Sequence, residues 1–273
     1  MFRLLPIATV DRAVRALSEA AESVAAGYSK RDEHPVDLRD RYVKWSVAIE
    51  PALLAVFRRE DVFAVFESPR HRDICSMAPG NQLVSLINAE LDDKRAVFNA
   101  ANDALVAARD RMLGAVGVPV VMDSNLLLQS LLPDQIGWNT LLGTALRLVL
   151  PMRVVEELDS KKYSDSKRLR DTARAVLPWL ERTLGTGIGP APVDANAQTR
   201  DAVGTTIEVH PCGRPRLRPQ DADEEVLDVA QEVLHLAGKV VVLTGDTSMR
   251  IRARGEGFET LAIPDKWRRP TPS

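Results

Sequence analysis

The sequence is poor in cysteine and has no long apolar run. Its two cysteines, Cys75 and Cys212, cannot supply a disulfide framework or a zinc ligand set, and they indicate reduced thiols in the cytoplasm. No segment approaches the roughly 18 apolar residues of a membrane span. Arg3, Pro6 and Asp11 interrupt the apolar residues near the N-terminus, so we predict no signal peptide. The sequence therefore predicts a cytoplasmic protein without a membrane segment.

The chain also has little net charge and few aromatic side chains. The net charge is −2, and basic and acidic residues are balanced in both halves of the chain. Contact with a nucleic acid would therefore have to come from a local basic patch. Aromatic residues make up 5% of the chain, and Tyr163 and Trp179 are candidates for stacking on bases. We expect Trp179 to be buried in the core, whereas the role of Tyr163 stays open.

The patterns of apolar residues divide the chain in two. Residues 1–115 repeat apolar positions at helical spacing and predict an all-helical N-terminal region. In residues 117–265, short apolar strands alternate with helices, which is typical of a parallel sheet with helices on both faces. Residues 185–221 form a Gly/Pro-rich insert in this second region, long enough to indicate a functional loop or a mobile insert. Residues 266–273 are a C-terminal tail.

Acidic side chains fall at four places where a predicted strand ends or a helix begins. Asp123 follows the first strand, and Asp246 follows the strand at 239–244 after one glycine. The other two places are predicted helix starts: the first turn with Glu156 and Glu157, and a second start with Asp221, Asp223, Glu224 and Glu225. Because parallel strands end at one edge of the sheet, all four places should face the same crevice.

These acids have two interpretations. Taken singly, Asp123 and Asp246 could be helix N-caps, and the glutamates could favour a helix start through its dipole. Taken together, clustered carboxylates repel one another unless a cation compensates them. Hard divalent ions such as Mg²⁺ and Mn²⁺ prefer oxygen ligands of this kind. The sequence therefore predicts a divalent metal site at this edge of the sheet.

The order of these motifs resembles the acidic motifs of PIN-domain ribonucleases, in particular the subset with a Glu-Leu-Asp element and a following basic helix. The resemblance covers residues 117–265 and is carried by VVMDSNLLL, RVVEELDSKK, DEEVLDVAQEV and VVVLTGDTSMRIRARGEGF. It implies an α/β fold, a PIN-like three-layer α/β/α sandwich with a central parallel sheet. It also implies hydrolysis of RNA phosphodiester bonds that depends on Mg²⁺ or Mn²⁺.

The resemblance also assigns the residues of the site. It implies that four acids are catalytic and hold one or two divalent ions: Asp123, Glu157, Asp223 and Asp246. Asp223 is preferred to its acidic neighbours because the expected apolar pair, Val226 and Leu227, follows it. Three residues are implied in supporting roles: Asn125, Thr244 and Glu156, the last as the alternative to Glu157.

Basic residues cluster after the second acidic motif. On a helix starting near residue 166, with Ser164 or Asp165 as its N-cap, the basic residues at positions 167, 170 and 174 share one face. The alternative interpretation is a solvated helix face with Asp171 as a local partner. The cations expected to contact an RNA backbone are Lys161, Lys162, Lys167, Arg170, Arg174 and Arg250, and RPRLRP at 214–219 is a further patch.

Together these inferences predict a metal-dependent endoribonuclease. It would hydrolyse single-stranded RNA by metal-activated water and leave 5′-phosphate and 3′-hydroxyl ends. Two alternatives stay open: a structure-specific DNA nuclease of the flap-endonuclease type, and a non-catalytic RNA-binding or scaffold module. The presence of all four acids argues against a degenerate site. We expect residues 1–115 to position RNA, to form a homo-oligomer or to bind a protein partner.

Overall fold

A computed structural model describes residues 2–193, 204–210 and 221–269 of the chain. The chain forms two compact units, Met1–Arg111 and Met112–Ser273. Residues 194–203 and 211–220 of the predicted insert lie outside the described residues, and with them Cys212 and the basic patch at 214–219. Across the described ranges, no helix is both long and apolar enough to cross a bilayer.

Helices build the first unit, as the sequence predicted. They are α1 (Val10–Ser23), α2 (Pro35–Leu54), α3 (Arg59–Phe66), α4 (Pro69–Ser76) and α5 (Asn81–Leu113). Thr9 caps α1 by accepting the backbone N–H of Arg12 at 3.3 Å. Prolines begin α2 and α4, where a missing N–H leaves no hydrogen bond unmade. Local signals therefore set where several of these helices begin.

A buried ion pair lies inside this helical unit. Lys94 Nζ and Glu90 Oε1, one turn apart on α5, are 2.8 Å from each other, and the two side chains are 3% and 4% exposed. Lys94 Nζ also donates to the carbonyl oxygen of Val65 at 2.7 Å, and the hydroxyl of Ser68 donates to Glu90 at 2.6 Å. Burial lowers the pKa of Lys94, whereas the charge of Glu90 opposes that change. The pair thus joins α5 to the end of α3 and the start of α4.

A mostly parallel sheet forms the centre of the second unit. Its strands within the described residues are β1 (Val118–Met122), β2 (Leu146–Pro151), β3 (Ala191–Pro192), β4 (Thr206–His210), β5 (Val241–Leu243) and β6 (Glu259–Leu261). They lie in the order β3-β4-β2-β1-β5-β6. In the central register, Val121 pairs with Val149 of β2 and with Val242 of β5. The short edge strand β3 is antiparallel to β4, and the other neighbouring pairs are parallel.

Helices accompany the strands in alternation, which confirms the predicted α/β fold. They are α6 (Ser124–Gln129), α7 (Asn139–Leu142), α8 (Met152–Lys161), α9 (Lys167–Leu184), α10 (Ala222–Ala237) and α11 (Thr247–Gly255). Val120 and Leu148 in the central strands are fully buried, as expected for strands covered on both faces. Trp179 is buried on α9 as predicted. The N-cap of α9 is Ser166, so the expectation of Ser164 or Asp165 was wrong.

Candidate active site

Asp123 stands at the carboxyl end of β1 and is 4% exposed. Its Oδ1 accepts the backbone N–H of Leu126 at 2.8 Å, which makes it the N-cap of α6. Its Oδ2 accepts the hydroxyl of Thr244. Asp123 can therefore be both the N-cap of α6 and a residue of the predicted site. The cap fixes the carboxylate in place at the edge of the sheet.

Thr244 connects Asp123 to the loop that carries Asp246. The threonine is fully buried, and while its hydroxyl donates to Asp123, the hydroxyl oxygen accepts the N–H of Asp246 at 2.9 Å. Asp246 in turn caps α11, because its Oδ1 accepts the N–H of Ser248 at 2.7 Å. Hydrogen bonds from the backbone lower the pKa of Asp246. One hydroxyl thus links the ends of β1 and β5.

Glu157 reaches the site from the second turn of α8, not from the first turn as predicted. The helix begins at Met152, directly after β2 ends at Pro151, so its first turn carries no acid. The proposed interaction of Glu156 and Glu157 with the helix dipole was therefore wrong, because that effect falls off within the first turn. Glu157 lines a cleft, and Glu156 is exposed.

The start of α10 gives its acidic residues different surroundings. Asp221 is the N-cap, with Oδ1 accepting the N–H of Asp223 at 3.1 Å and Oδ2 lying 2.7 Å from Nη1 of Arg252. Asp223 lines the cleft, and its Oδ2 is 3.9 Å from the same arginine nitrogen. Glu224 is exposed. Of the three, Asp223 is the one whose side chain faces the cleft.

The cleft brings Asp123, directly after β1, together with residues of α6, α8 and α10. It has a volume of about 390 Å³ and is lined by Asp123, Ser124, Asn125, Arg153, Glu157, Ser160, Lys161, Ala222, Asp223 and Val226. Three of the four predicted acids therefore share one cleft with Asn125 and Lys161. Asp246 is outside this lining, but its charge acts on Asp123 and on Asp223.

Mutual repulsion connects the four acids. Burial raises the pKa of Asp123 to about 6; the hydrogen bonds from Thr244 and Leu126 oppose this rise, and the charges of Asp223 and Asp246 add to it. The pKa of Asp223 is also raised, by burial first, then by the charge of Asp221, and to a smaller extent by those of Asp246 and Glu157, while Arg252 opposes the rise. A bound cation would relieve this repulsion.

We expect the free energy of unfolding of the metal-free protein to fall as pH rises from about 4 to 6. Asp123 has a pKa of about 6 in the folded chain and an ordinary value of 3.8. Between these values the folded state holds a proton that the unfolded state has released, so stability is lost with rising pH. At 1.36 kcal/mol per pKa unit the loss is roughly 3 kcal/mol by pH 7. Urea unfolding across this pH range, in EDTA, measures it.

Two variants identify the source of that pH dependence. Asp123→Asn cannot ionise at this position and should lose this part of the slope. Asp265, whose side chain is 92% exposed, provides the control, because Asp265→Asn should keep the wild-type slope. A wild-type slope in Asp123→Asn would show that burial of this carboxyl is not the cause.

The chemistry of the donor set suits a hard divalent cation. Carboxylate oxygens are the ligands that Mg²⁺ and Mn²⁺ prefer. Within the described part of the chain, however, no three His, Cys, Asp or Glu side chains form a preassembled metal cluster. Two arginines lie against the acids instead, with Arg153 3.9 Å from Glu157 and Arg252 3.9 Å from Asp223. The acids thus fit a divalent cation by type and charge, in an arrangement partly neutralised by arginine.

Three of the predicted RNA-contacting cations line the cleft or are exposed on α9. Lys161 lines the cleft, and Lys167 and Arg174 are exposed on α9. Tyr163, between α8 and α9, is 78% exposed, and Nζ of Lys162 lies 6.0 Å from the centre of its ring. An exposed aromatic ring beside cations is typical of surfaces on which nucleic-acid bases stack.

The other three predicted cations contact other residues of the chain. Lys162 Nζ lies 2.6 Å from Asp159, Arg170 donates to the carbonyl oxygen of Ser164 at 2.8 Å, and Arg250 donates to that of Thr244 at 3.3 Å. Arg250 therefore braces the loop that carries Asp246. Contact of these side chains with RNA stays a prediction.

Sequence reasoning missed Arg153 beside the acids, and it did not identify the acidic partner of Arg252, a residue of the basic patch that follows Asp246. The spacing of Arg153 and Glu157, one helical turn apart, is visible in the sequence and could have predicted their proximity. Arg252 contacts Asp221, 31 positions earlier in the chain, and no local pattern indicates that pair. Both arginines place positive charge next to an acid at this edge of the sheet.

Comparison with known families agrees with this architecture. A sequence model of the PIN domain matches residues 120–263, more than half of the chain. The chain therefore belongs to the PIN domain family. Members of this family are generally nucleases, hydrolases that act on nucleic acids, and typically use divalent metals. No curated protein gives a significant match to the chain.

Proposed function

We propose that this PIN domain protein is an endoribonuclease that requires Mg²⁺ or Mn²⁺ and cuts single-stranded RNA, leaving 5′-phosphate and 3′-hydroxyl ends. The observation that carries the proposal is the cleft at one edge of the sheet that Asp123, Glu157 and Asp223 line together, with Asp246 joined to Asp123 through Thr244. Ligands of open parallel sheets bind at this edge, beyond the carboxyl ends of the strands.

The surroundings of each acid support a role in holding the cation. Asp123 is fixed by an N–H and a hydroxyl, whereas Glu157 and Asp223 approach the cleft from α8 and α10. Asp246 is held beside Asp123 through Thr244. When bound, a divalent cation lowers the pKa of a water molecule and stabilises charge on the leaving oxygen. Asn125, in the cleft, can hydrogen-bond a phosphate oxygen and so orient the substrate.

The cations and the exposed ring next to the cleft support a nucleic-acid substrate. Lys161 in the cleft, with Lys167 and Arg174 on α9, offers positive charge to successive phosphates. Tyr163 offers a ring to an unpaired base, which favours a single strand over a duplex. The choice of RNA follows the resemblance of the acidic motifs to those of PIN-domain ribonucleases.

We also propose that the protein acts in the cytoplasm. Cys75 is a free, exposed thiol, which supports the cytoplasm as the place of action. A role of the helical unit in RNA positioning, oligomerisation or partner binding stays a prediction.

Incubation of the full chain with labelled single-stranded RNA and DNA of one sequence tests the proposal. We expect RNA to be cleaved with Mg²⁺ or Mn²⁺ and to stay intact in EDTA, because the carboxylates alone cannot activate water. A 5′-phosphate-dependent exonuclease should then degrade the downstream product. Cleavage of DNA alone would indicate the DNA nuclease instead. RNA binding without cleavage under any metal would indicate the scaffold module.

A further inference from the structure

Arg153 lines the cleft, and its Nε is buried. Its Nε makes no hydrogen bond to any residue that the structure describes. Oε1 of Glu157 lies 3.9 Å from that nitrogen, which is too far for a hydrogen bond. The side chain as a whole is 33% exposed and lines the cleft. The partly exposed Arg153 side chain is thus not tied down by a hydrogen bond from Nε to the described part of the chain, and it is available to a ligand that enters the cleft.

The position of Arg153 on α8 indicates what that partner is. Arg153, Glu157 and Lys161 follow one another at four-residue intervals and line the same cleft. The helical rise separates each from the next by about 6 Å along the axis. A polyanion lying along this helix would therefore meet a cation on each side of Glu157. A single small anion would leave one of the two cations without a partner.

We propose that Arg153 binds a phosphate of the nucleic-acid substrate, next to the phosphate that lies at the carboxylates. This inference rests on the proposed function and adds that the substrate must present at least two consecutive phosphates to the cleft. The guanidinium group offers donors in a planar fork that matches two phosphate oxygens. Its charge also offsets the repulsion between an incoming phosphate and the acids of the cleft.

Binding of a short RNA in which single linkages are neutralised tests this assignment. The probe is a fluorescent single-stranded oligonucleotide, bound in EDTA to Asp123→Asn protein, so that no cleavage occurs. A methylphosphonate replaces one phosphate at a time. Adding Arg153→Ala should weaken binding about ten- to a hundredfold, the range for hydrogen bonds to charged groups. When Arg153 is present, replacing one particular phosphate by methylphosphonate should weaken binding. In the Arg153→Ala protein, the same replacement should leave binding unchanged.

Two further variants distinguish a phosphate contact from a general effect of charge. Arg153→Lys keeps the charge and loses the fork, so it should recover only part of the affinity. Arg182→Ala removes an exposed cation from the last turn of α9. Added to Asp123→Asn, it should bind every probe as tightly as Asp123→Asn alone. Thermal unfolding of each variant verifies that the fold is retained.

The outcomes separate this inference from the proposed function. If Arg153→Ala leaves affinity and linkage sensitivity unchanged, the phosphate assignment is wrong, even if the wild type cleaves RNA. If the linkage effect is present but the wild type cleaves nothing, the phosphate site stands and the proposed activity fails. In active wild-type protein, Arg153→Ala should raise KM more than it lowers kcat, because it acts on a phosphate that does not react.

Discussion

Asp123→Asn is expected to lower kcat for RNA at least about a hundredfold in saturating Mg²⁺. Loss of an outer-shell partner of a metal ligand typically costs 10- to 100-fold in affinity or activity, and loss of a direct ligand should cost no less. Asparagine keeps the shape of the side chain and can still accept the N–H of Leu126 through its carbonyl oxygen. The variant therefore removes the charge at the centre of the site while it preserves the cap of α6. Single-turnover cleavage of labelled RNA measures the effect.

The controls for this variant use stability and an unrelated acid. Because the buried charge is destabilising, metal-free Asp123→Asn should be at least as stable as the wild type at pH 7. Loss of activity together with retained stability cannot be attributed to unfolding. Asp265→Asn removes an exposed charge from the same unit and should cleave RNA at the wild-type rate. Full metal-dependent cleavage by Asp123→Asn would contradict the assignment of this residue.

Lys94→Met is expected to lower the free energy of unfolding of the helical unit by about 3–5 kcal/mol. The substitution leaves the carboxylate of Glu90 buried without its cation, and breaking a buried ion pair typically costs this much. It also removes the hydrogen bond to the carbonyl oxygen of Val65. Urea unfolding of the full chain, followed by hydrogen exchange at the amides of α2 to α5, reports on this unit.

Two comparisons test the cause of that loss. Lys94→Met combined with Glu90→Gln removes both charges and should recover most of the lost stability, because Gln can still accept the hydroxyl of Ser68. Arg70 pairs with Asp93 at the surface, so Arg70→Ala should cost less than about 1 kcal/mol. Equal losses for Lys94→Met and Arg70→Ala would show that burial of the pair does not determine its contribution.

The sequence predicted the strands and helices well because their signals are local. The strand at Val118–Met122 has the predicted ends, since an apolar run stops there at an aspartate. The approximate position of α9 was also predicted, but its N-cap was not, because three residues in succession, at positions 164–166, are of types that cap helices. The sequence analysis placed the first turn of α8 too late in the chain, at Glu156 and Glu157, because β2 passes into the helix without a loop.

Sequence alone determined that this chain has a helical region, then a parallel sheet with acids at the ends of its strands. Periodicity and strand-end position are properties of neighbouring residues, so both can be recognised along the chain. Only the tertiary structure decided how these acids are held. Thr244 donates to Asp123 from 121 positions away, and Arg252 holds Asp221 across 31 positions. Such contacts depend on the order of strands and on the burial they create, and that burial is what raises the pKa of Asp123.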